Sequence, residues 1–391
     1  MLNFEYSIPT EIFFGKDQIK VLGREIKKYG TNVLLVYGGG SIKRNGIYDR
    51  VMNIFSENGI KFWELSGVEP NPRIETVRKG IEICRENKID LILAVGGGST
   101  IDCSKVIGAG YYYEGDAWDI VKDSGKIINS LPIATILTLA ATGSEMNKGA
   151  VISNLSKNEK QSTGHKSMAP KFSILDPTYT FTVPRHQTAA GTADILCHVF
   201  EVYFSTTESA FVQNRLAEGI MKTCIEYGRK AMDEPDNYEA RANLMWASSL
   251  AINGLLSLGK IPEWTMHALE HELSAFYDIT HGVGLGILMP RWMEFGLNEK
   301  TMDKFCSYAI NVWDVDKNLP KEEIAKLGIE KTREFIFSTL EIPSNLRSID
   351  IDEEYLERMA EKAVSHGKDG VIGNFVKIDK EGALKIFRDC L

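Results

Sequence analysis

The chain has seven histidines, and four of them stand in two short segments. His198 follows Asp194 by four residues in TADILCHVFE. His267 and His271 repeat that interval in EWTMHALEHELSAF, and His281 follows in DITHG. On a helix, residues four apart lie on one face, so each interval turns two polar groups the same way. Asp194, His198, His267 and His281 together offer one carboxylate and three imidazoles. That donor set suits a borderline divalent ion such as Zn2+ or Fe2+. His271, one turn beyond His267, would stand nearby without having to ligate. The competing reading of Asp194 and His198 is an ion pair on a helix surface, the commoner role of such an isolated pair. His271-Glu272 opens like the HExxH of metalloproteases, but position 275 is alanine, which excludes that chemistry. His165, His186 and His366 have no comparable neighbours and read as surface or core residues.

A second chemistry is carried by glycine. The apolar run NVLLVY (32–37) ends in Gly38-Gly39-Gly40, and DLILAV (90–95) ends in Gly96-Gly97-Gly98. Without a Cβ, backbone N–H groups approach an anion closely, and a helix starting just beyond adds its partial positive charge. One such turn could be a tight turn and nothing more; two in one α/β region favour a nucleotide, with a pyrophosphate on Gly96–Asp102. The usual GxGxxG fingerprint is absent, because Ile101 takes the place of the last glycine. The first turn continues as Ser41-Ile42-Lys43-Arg44, a hydroxyl and two bases that could receive a 2′-phosphate. The alternative for Lys43 and Arg44 is a solvated helix start. A third segment, Thr138–Asn147, is rich in small hydroxyl residues and could line phosphate or nicotinamide.

The elements that must position these groups change character along the chain. Up to about residue 184, apolar runs at 32–37, 90–95 and 132–137 (PIATIL) alternate with helical patterns at 48–58 and 74–87. This is the signature of βαβ units and a parallel sheet buried on both faces. Beyond Pro184 strand-like runs give way to helical patterns at 189–203, 209–232, 238–255, 265–276, 302–313, 321–340, 353–365 and 381–390. The expectation is a dinucleotide-binding α/β domain over 1–184 and a helical metal-binding domain over 185–391.

Composition agrees with a soluble globular chain. Of 391 residues, 43% are hydrophobic and 25% charged, and 45 basic against 53 acidic side chains leave a net charge of −8. An acidic balance argues against non-specific binding to nucleic acid or an anionic membrane. The six cysteines form no CxxC pair, which points to reduced thiols in a cytoplasmic compartment. The start of the chain carries Glu5 and Glu11 where a signal peptide would be apolar. The stretch 131–141 is too short to span a bilayer.

Three segments together make the chain resemble the iron-containing (group III) alcohol dehydrogenases, within their butanol dehydrogenase and aldehyde reductase branch. They are GGGSTIDCSK (96–105), ADILCH (193–198) and EWTMHALEHELSAFYDITHG (263–282). The resemblance spans essentially the whole chain. It implies a Rossmann-like N-terminal domain and an all-helical C-terminal domain, a dehydroquinate synthase-like architecture. The family's metal ligands fall on Asp194, His198, His267 and His281, and a histidine near the substrate falls on His271. Cofactor contacts fall on Gly39, Ser41, Asn71, Gly97, Gly98, Ser99, Thr138, Thr142, Asn147, Lys160 and Tyr179. Members preferring NAD(H) tend to carry Asp near position 39; glycine there favours NADP(H) over NAD(H). Glu270 replaces a small residue common between the two helical histidines, a change of polarity beside the ligands. The implied activity is hydride transfer between NADP(H) and a primary alcohol or aldehyde such as butanol or butanal, in a homodimer. Alternatives are an NAD(H)-preferring alcohol or polyol dehydrogenase of the same fold, or an inactive nucleotide-binding sensor. Trp118, Met146, Leu255, Trp264 and Phe276 are candidates for shaping the substrate pocket.

Overall fold

The computed structural model describes every residue except 208 and 366, so the expectation for His366 lies outside the described residues. The chain divides into two units: 7–183 with 235–249, and 1–6 with 184–234 and 250–391. The division near residue 184 is therefore crossed twice. A helical segment from beyond it joins the α/β unit, and the first six residues join the helical one.

In the α/β unit, six parallel strands lie in the order β1 (Glu11–Phe14), β8 (Phe172–Leu175), β5 (Ile133–Leu137), β4 (Leu91–Gly96), β2 (Asn32–Tyr37) and β3 (Lys61–Leu65). The runs at 32–37, 90–95 and 132–137 are the central strands β2, β4 and β5. Their alternate residues feed two cores. Leu34, Val36 and Ile92 pack with Val77 and Ile81 of helix Ile74–Asn87 and Val106 and Ile107 of helix Gly98–Gly110. Val33, Leu35 and Leu93 pack on the other face with Ile47, Val51 and Phe55 of helix Ile47–Asn58. Burial on both faces explains the unbroken apolar runs. β3 lacked such a run because it is an edge strand, with Lys61, Phe62 and Glu64 facing outward. β6 (Gly149–Asn154) and β7 (Glu159–Gly164) form a separate antiparallel hairpin.

Register brings the chemistry to one edge. Tyr37 is level with Val95, and Gly96 with Leu137, so the turns after β2, β4 and β5 emerge side by side. From β2 the chain runs outward to β3, and from β4 it runs the opposite way through β5. The crevice at the carboxyl ends of β2 and β4 is thus the switch point of the sheet, where ligands of open α/β folds bind.

The helical unit is organised around helix Arg185–Tyr203, which is buried from Thr188 to its end. Helices Phe211–Asp233, Thr265–Tyr277, His281–Gly296, Met302–Trp313, Lys321–Glu334, Leu356–Ser365 and Lys380–Asp389 complete it. The expected helix 321–340 stays α-helical only to Glu334 and continues as a π turn, Phe335–Thr339. Helix His281–Gly296 was not among the expected helices; it carries Gly282, Gly284, Gly286 and Pro290, residue types that weaken a helical pattern. The glycines serve packing instead. A Cβ on Gly282 would stand 2.0 Å from the Ala190 carbonyl oxygen, so glycine permits the backbone contact with helix Arg185–Tyr203.

Candidate functional site

Asp194 and His198 lie one turn apart on helix Arg185–Tyr203, and both are buried, at 2% and 4% exposure. Burial rules out the surface ion pair. Helix Thr265–Tyr277 supplies His267 and His271, and His281 is the first residue of helix His281–Gly296. The three helices bring these groups together. His198 Nδ1 is 3.3 Å and His281 Nε2 is 3.8 Å from Asp194 Oδ1. The His267 ring centroid lies 4.5 Å from that of His198 and 5.3 Å from that of His281. One donor atom each from Asp194, His267 and His281 falls within 4.8 Å of the others. Ligands tetrahedral about a zinc-sized ion stand about 3.3 Å apart, close to the spacing of these three donors, while His198 joins through its 3.3 Å contact with Asp194.

Two buried glutamates orient the imidazoles. Glu201 Oε2 pairs with His267 Nδ1, and Glu270 Oε2 pairs with His281 Nδ1. Each pairing keeps the proton on Nδ1 and leaves Nε2 with its lone pair, the carboxylate–histidine arrangement of metal sites. Each glutamate is itself held: Glu201 Oε1 accepts the Met266 N–H at 2.6 Å, and Glu270 Oε1 accepts the Ser274 hydroxyl. The consequence is visible at His267 Nε2, a buried nitrogen with no hydrogen-bond partner among the described residues. Such an atom costs about 1–3 kcal/mol unless something ligates it.

Electrostatics agree with a cation. Burial, reinforced by the neighbouring His267 and His281, pushes His198 well below its ordinary range and favours the neutral imidazole, the form a metal ion would require. Burial also acts downward on His267, but the Glu201, Asp194 and Glu270 carboxylates outweigh it and raise that imidazole. Three carboxyl groups that are 0–2% exposed around these rings form an acidic pocket, which a divalent ion would balance. The residues present therefore fit a metal ion. His271 stands further out, its ring 6.4 Å from His267 and 5.9 Å from His281, and is not within the three-donor cluster.

The expected cofactor residues belong to the α/β unit. Gly39 and Ser41 follow β2, Gly97, Gly98 and Ser99 follow β4, and Thr138 and Thr142 follow β5. These loops interlock. A Cβ on Gly98 would meet Thr142 Oγ1 at 2.1 Å, and one on Gly97 would meet Leu139 at 3.2 Å. The Ser99 hydroxyl donates to the Pro70 carbonyl, beside the buried Asn71. Asn147 braces its own loop: Oδ1 accepts from Lys105 Nζ at 3.0 Å and the Gly149 N–H at 2.9 Å. Lys160 is buried on β7, in the hairpin packed on helix Gly98–Gly110. Tyr179 lies beyond β8, buried against Ile47 and Val51, with its hydroxyl accepting from Arg50 at 3.2 Å. Lys160 pairs across the hairpin with Ser153, whose N–H donates to the Pro72 carbonyl beside Asn71, and its charge acts on Asp102 just beyond Gly98. Tyr179 shares a core with Tyr37 and Ile42, which flank the turn after β2.

Sequence reasoning missed the braces. Glu201 lies three residues after His198 and seven after Asp194, one helical face, and that spacing could have revealed it. Lys105 had no such signal. It is fully buried, its Nζ also donating to Ser144 Oγ and the Gly149 carbonyl at 2.8 Å each, and burial lowers it to about 8. Ser248, from the segment beyond residue 234, accepts the N–H groups of Ala141 and Gly143 at 3.1 and 3.2 Å.

With this geometry in place, comparison with known proteins decides the family. Residues 9–177 match the model for "Iron-containing alcohol dehydrogenase", and residues 188–391 match "Fe-containing alcohol dehydrogenase family, C-terminal". The chain belongs to the iron-containing alcohol dehydrogenase family. It is 65% identical over 388 residues to NADH-dependent butanol dehydrogenase A of Clostridium acetobutylicum, covering 99% of each chain. To the NADPH-dependent aldehyde reductase YqhD of Escherichia coli it is 40% identical over 371 residues, covering 94% of each. The crystal structure of NADH-dependent butanol dehydrogenase A from Thermotoga maritima superposes with a TM-score of 0.94 at 37% identity, covering 100% of this chain and 99% of that one. Membership implies a divalent metal ion and a nicotinamide cofactor.

Proposed function

We propose that this iron-containing alcohol dehydrogenase interconverts primary alcohols and aldehydes, butanol and butanal among them, with NADP(H) as hydride carrier. The observation that carries the reading is the convergence of Asp194, His267 and His281, with His198 Nδ1 3.3 Å from Asp194 Oδ1 and the buried His267 Nε2 otherwise unsatisfied. Those four side chains would hold Fe2+ or Zn2+. When bound, the ion supplies Lewis acidity that polarises the C–O bond of the substrate. Glu201 and Glu270 keep the His267 and His281 rings in the ligating tautomer. When bound, the nicotinamide would supply the hydride for the carbonyl carbon, leaving the substrate oxygen to be protonated. His271, outside the three-donor cluster and partly exposed, would relay that proton. The turns after β2, β4 and β5 would bind the cofactor, making 7–183 with 235–249 the nucleotide-binding part and 184–234 with 250–391 the metal-binding part.

Two lines pull apart on the nucleotide. The butanol dehydrogenase relatives are named for NADH. Against that, Gly39 presents no acidic group to repel a 2′-phosphate, and a Cβ there would meet nothing within 4 Å, so the space is open. The open turn followed by Lys43 and Arg44 supports NADP(H). β1 leaves one edge of the sheet unpaired in the single chain, which supports pairing as a homodimer. Six free, buried cysteines agree with a cytoplasmic protein, and among the described residues no helix is long and apolar enough to cross a membrane. The test is oxidation of NADPH and NADH by butanal, measured with the bound metal quantified. An inert sensor would bind nucleotide and turn over neither.

A further inference from the structure

Trp264 occupies a backbone state that a bulky residue rarely enters, with φ 59° and ψ 19° in the left-handed helical region. Both flanks are pinned. On one side the Glu263 N–H donates to the Glu201 carbonyl at 2.8 Å. The Glu263 carboxylate accepts the N–H groups of Asn374, Phe375 and Val376 at 2.7, 2.6 and 3.2 Å. On the other side the Met266 N–H is held by Glu201 Oε1. Trp264 is the residue left to turn the chain into helix Thr265–Tyr277, and the surrounding bonds sustain its strain.

That strained turn sets the indole against two candidate ligands. Its ring centroid lies 5.2 Å from His267 and 6.2 Å from His198, at interplanar angles of 76° and 70°. The residue nevertheless remains 36% exposed, whereas Trp292 in the same unit is fully buried. The other aromatic candidates lie elsewhere: Trp118 belongs to a core of the α/β unit, and Phe276 stacks on Tyr355. An exposed indole fixed edge-on to metal-binding imidazoles is a rigid apolar surface beside the reacting position.

We infer that Trp264 is a specificity-determining residue: its indole is the wall against which the substrate's carbon chain lies, admitting unbranched aliphatic aldehydes and excluding bulky ones. The inference rests on the metal and aldehyde reading above. Apolar contacts of this kind change kcat/KM by about ten- to two-hundredfold. In W264A the ratio of kcat/KM for benzaldehyde over butanal should rise at least about tenfold, with the butanal loss mainly in KM. W264F should restore most of the wild-type ratio. Metal content should be unchanged in both variants. A readout independent of turnover is indole fluorescence during Co2+ titration: the part of the emission that W264F lacks should be quenched on metal binding.

A uniform loss for both aldehydes, an unchanged ratio, or Co2+ quenching identical in W264F and wild type would each overturn the role of Trp264. If W264A does not fold, the W264F and W264L ratios decide in its place. Wild-type protein that holds metal and cofactor yet reduces no aldehyde would instead overturn the proposed function, and this inference with it.

Discussion

The glycine edge and the histidine pocket are built from different parts of the chain. At the carboxyl edge of the sheet, the proposed nucleotide surface is backbone, open where side chains are missing at Gly39, Gly97 and Gly98 and shaped by loops packed against one another. In the helical unit the candidate site is side chains on three helices, with His267 and His281 each paired to a glutamate and His198 beside Asp194. The first tolerates residue changes that leave the backbone path alone. The second depends on the identity of single atoms. Substitutions in the two regions should therefore fail differently, in size and in what survives.

The largest effect is expected at His267. In His267→Ala, metal retention should be lost and kcat/KM for butanal should fall by about a thousandfold or more, as for loss of a group acting in the transition state. NADPH binding, read by fluorescence, should persist, because the glycine edge is untouched. A protein that lost both together would erase the distinction between the regions. Glu201→Gln comes next. It keeps the shape but removes the charge behind His267, and metal affinity should fall about 10–100-fold in a chelator competition.

Gly98→Ala probes the backbone-built region. The new methyl meets Thr142 Oγ1 at 2.1 Å, and relieving such a clash costs about 1–3 kcal/mol. NADPH affinity should weaken roughly tenfold, while metal content measured on the same sample stays at the wild-type level. Gly39→Asp should have the smallest effect. A Cβ at Gly39 has free space and the φ there is not left-handed, so the fold should tolerate the change. The NADPH/NADH ratio of kcat/KM should drop several-fold through repulsion of the 2′-phosphate, a surface-screened interaction. An unchanged ratio would remove Gly39 as the determinant of nucleotide choice.

The same contrast explains what could be read from the sequence. The histidine pocket was legible because helical spacing turns Asp194 and His198 to one face and because imidazoles are scarce enough to stand out. The central strands were legible because burial on both faces leaves unbroken apolar runs. What escaped depended on partners distant in the chain. Lys105 looks like any lysine until its ammonium is seen among Ser144, Asn147 and Gly149. The segment 235–249 carries no nucleotide motif, yet its Met245 packs with Ala94, Ile101 and Leu137 under the glycine turns. Helix His281–Gly296 was concealed because close packing and helix breaking call for the same residue, glycine. Tyr179 and Lys160 carried no local motif and were assigned through the resemblance, because the chain returns to the glycine edge only through the hairpin and the segment after β8.

The central claim is that the four-residue pocket holds one divalent ion on which turnover depends, separately from cofactor binding. The direct measurement strips the protein with a chelator, titrates Fe2+ or Zn2+ back, and follows NADPH oxidation by butanal alongside NADPH binding. The account predicts turnover rising from near zero and saturating at one ion per chain, with nucleotide affinity constant throughout. Full turnover in the stripped protein, or saturation unrelated to occupancy of the histidine pocket, would contradict it.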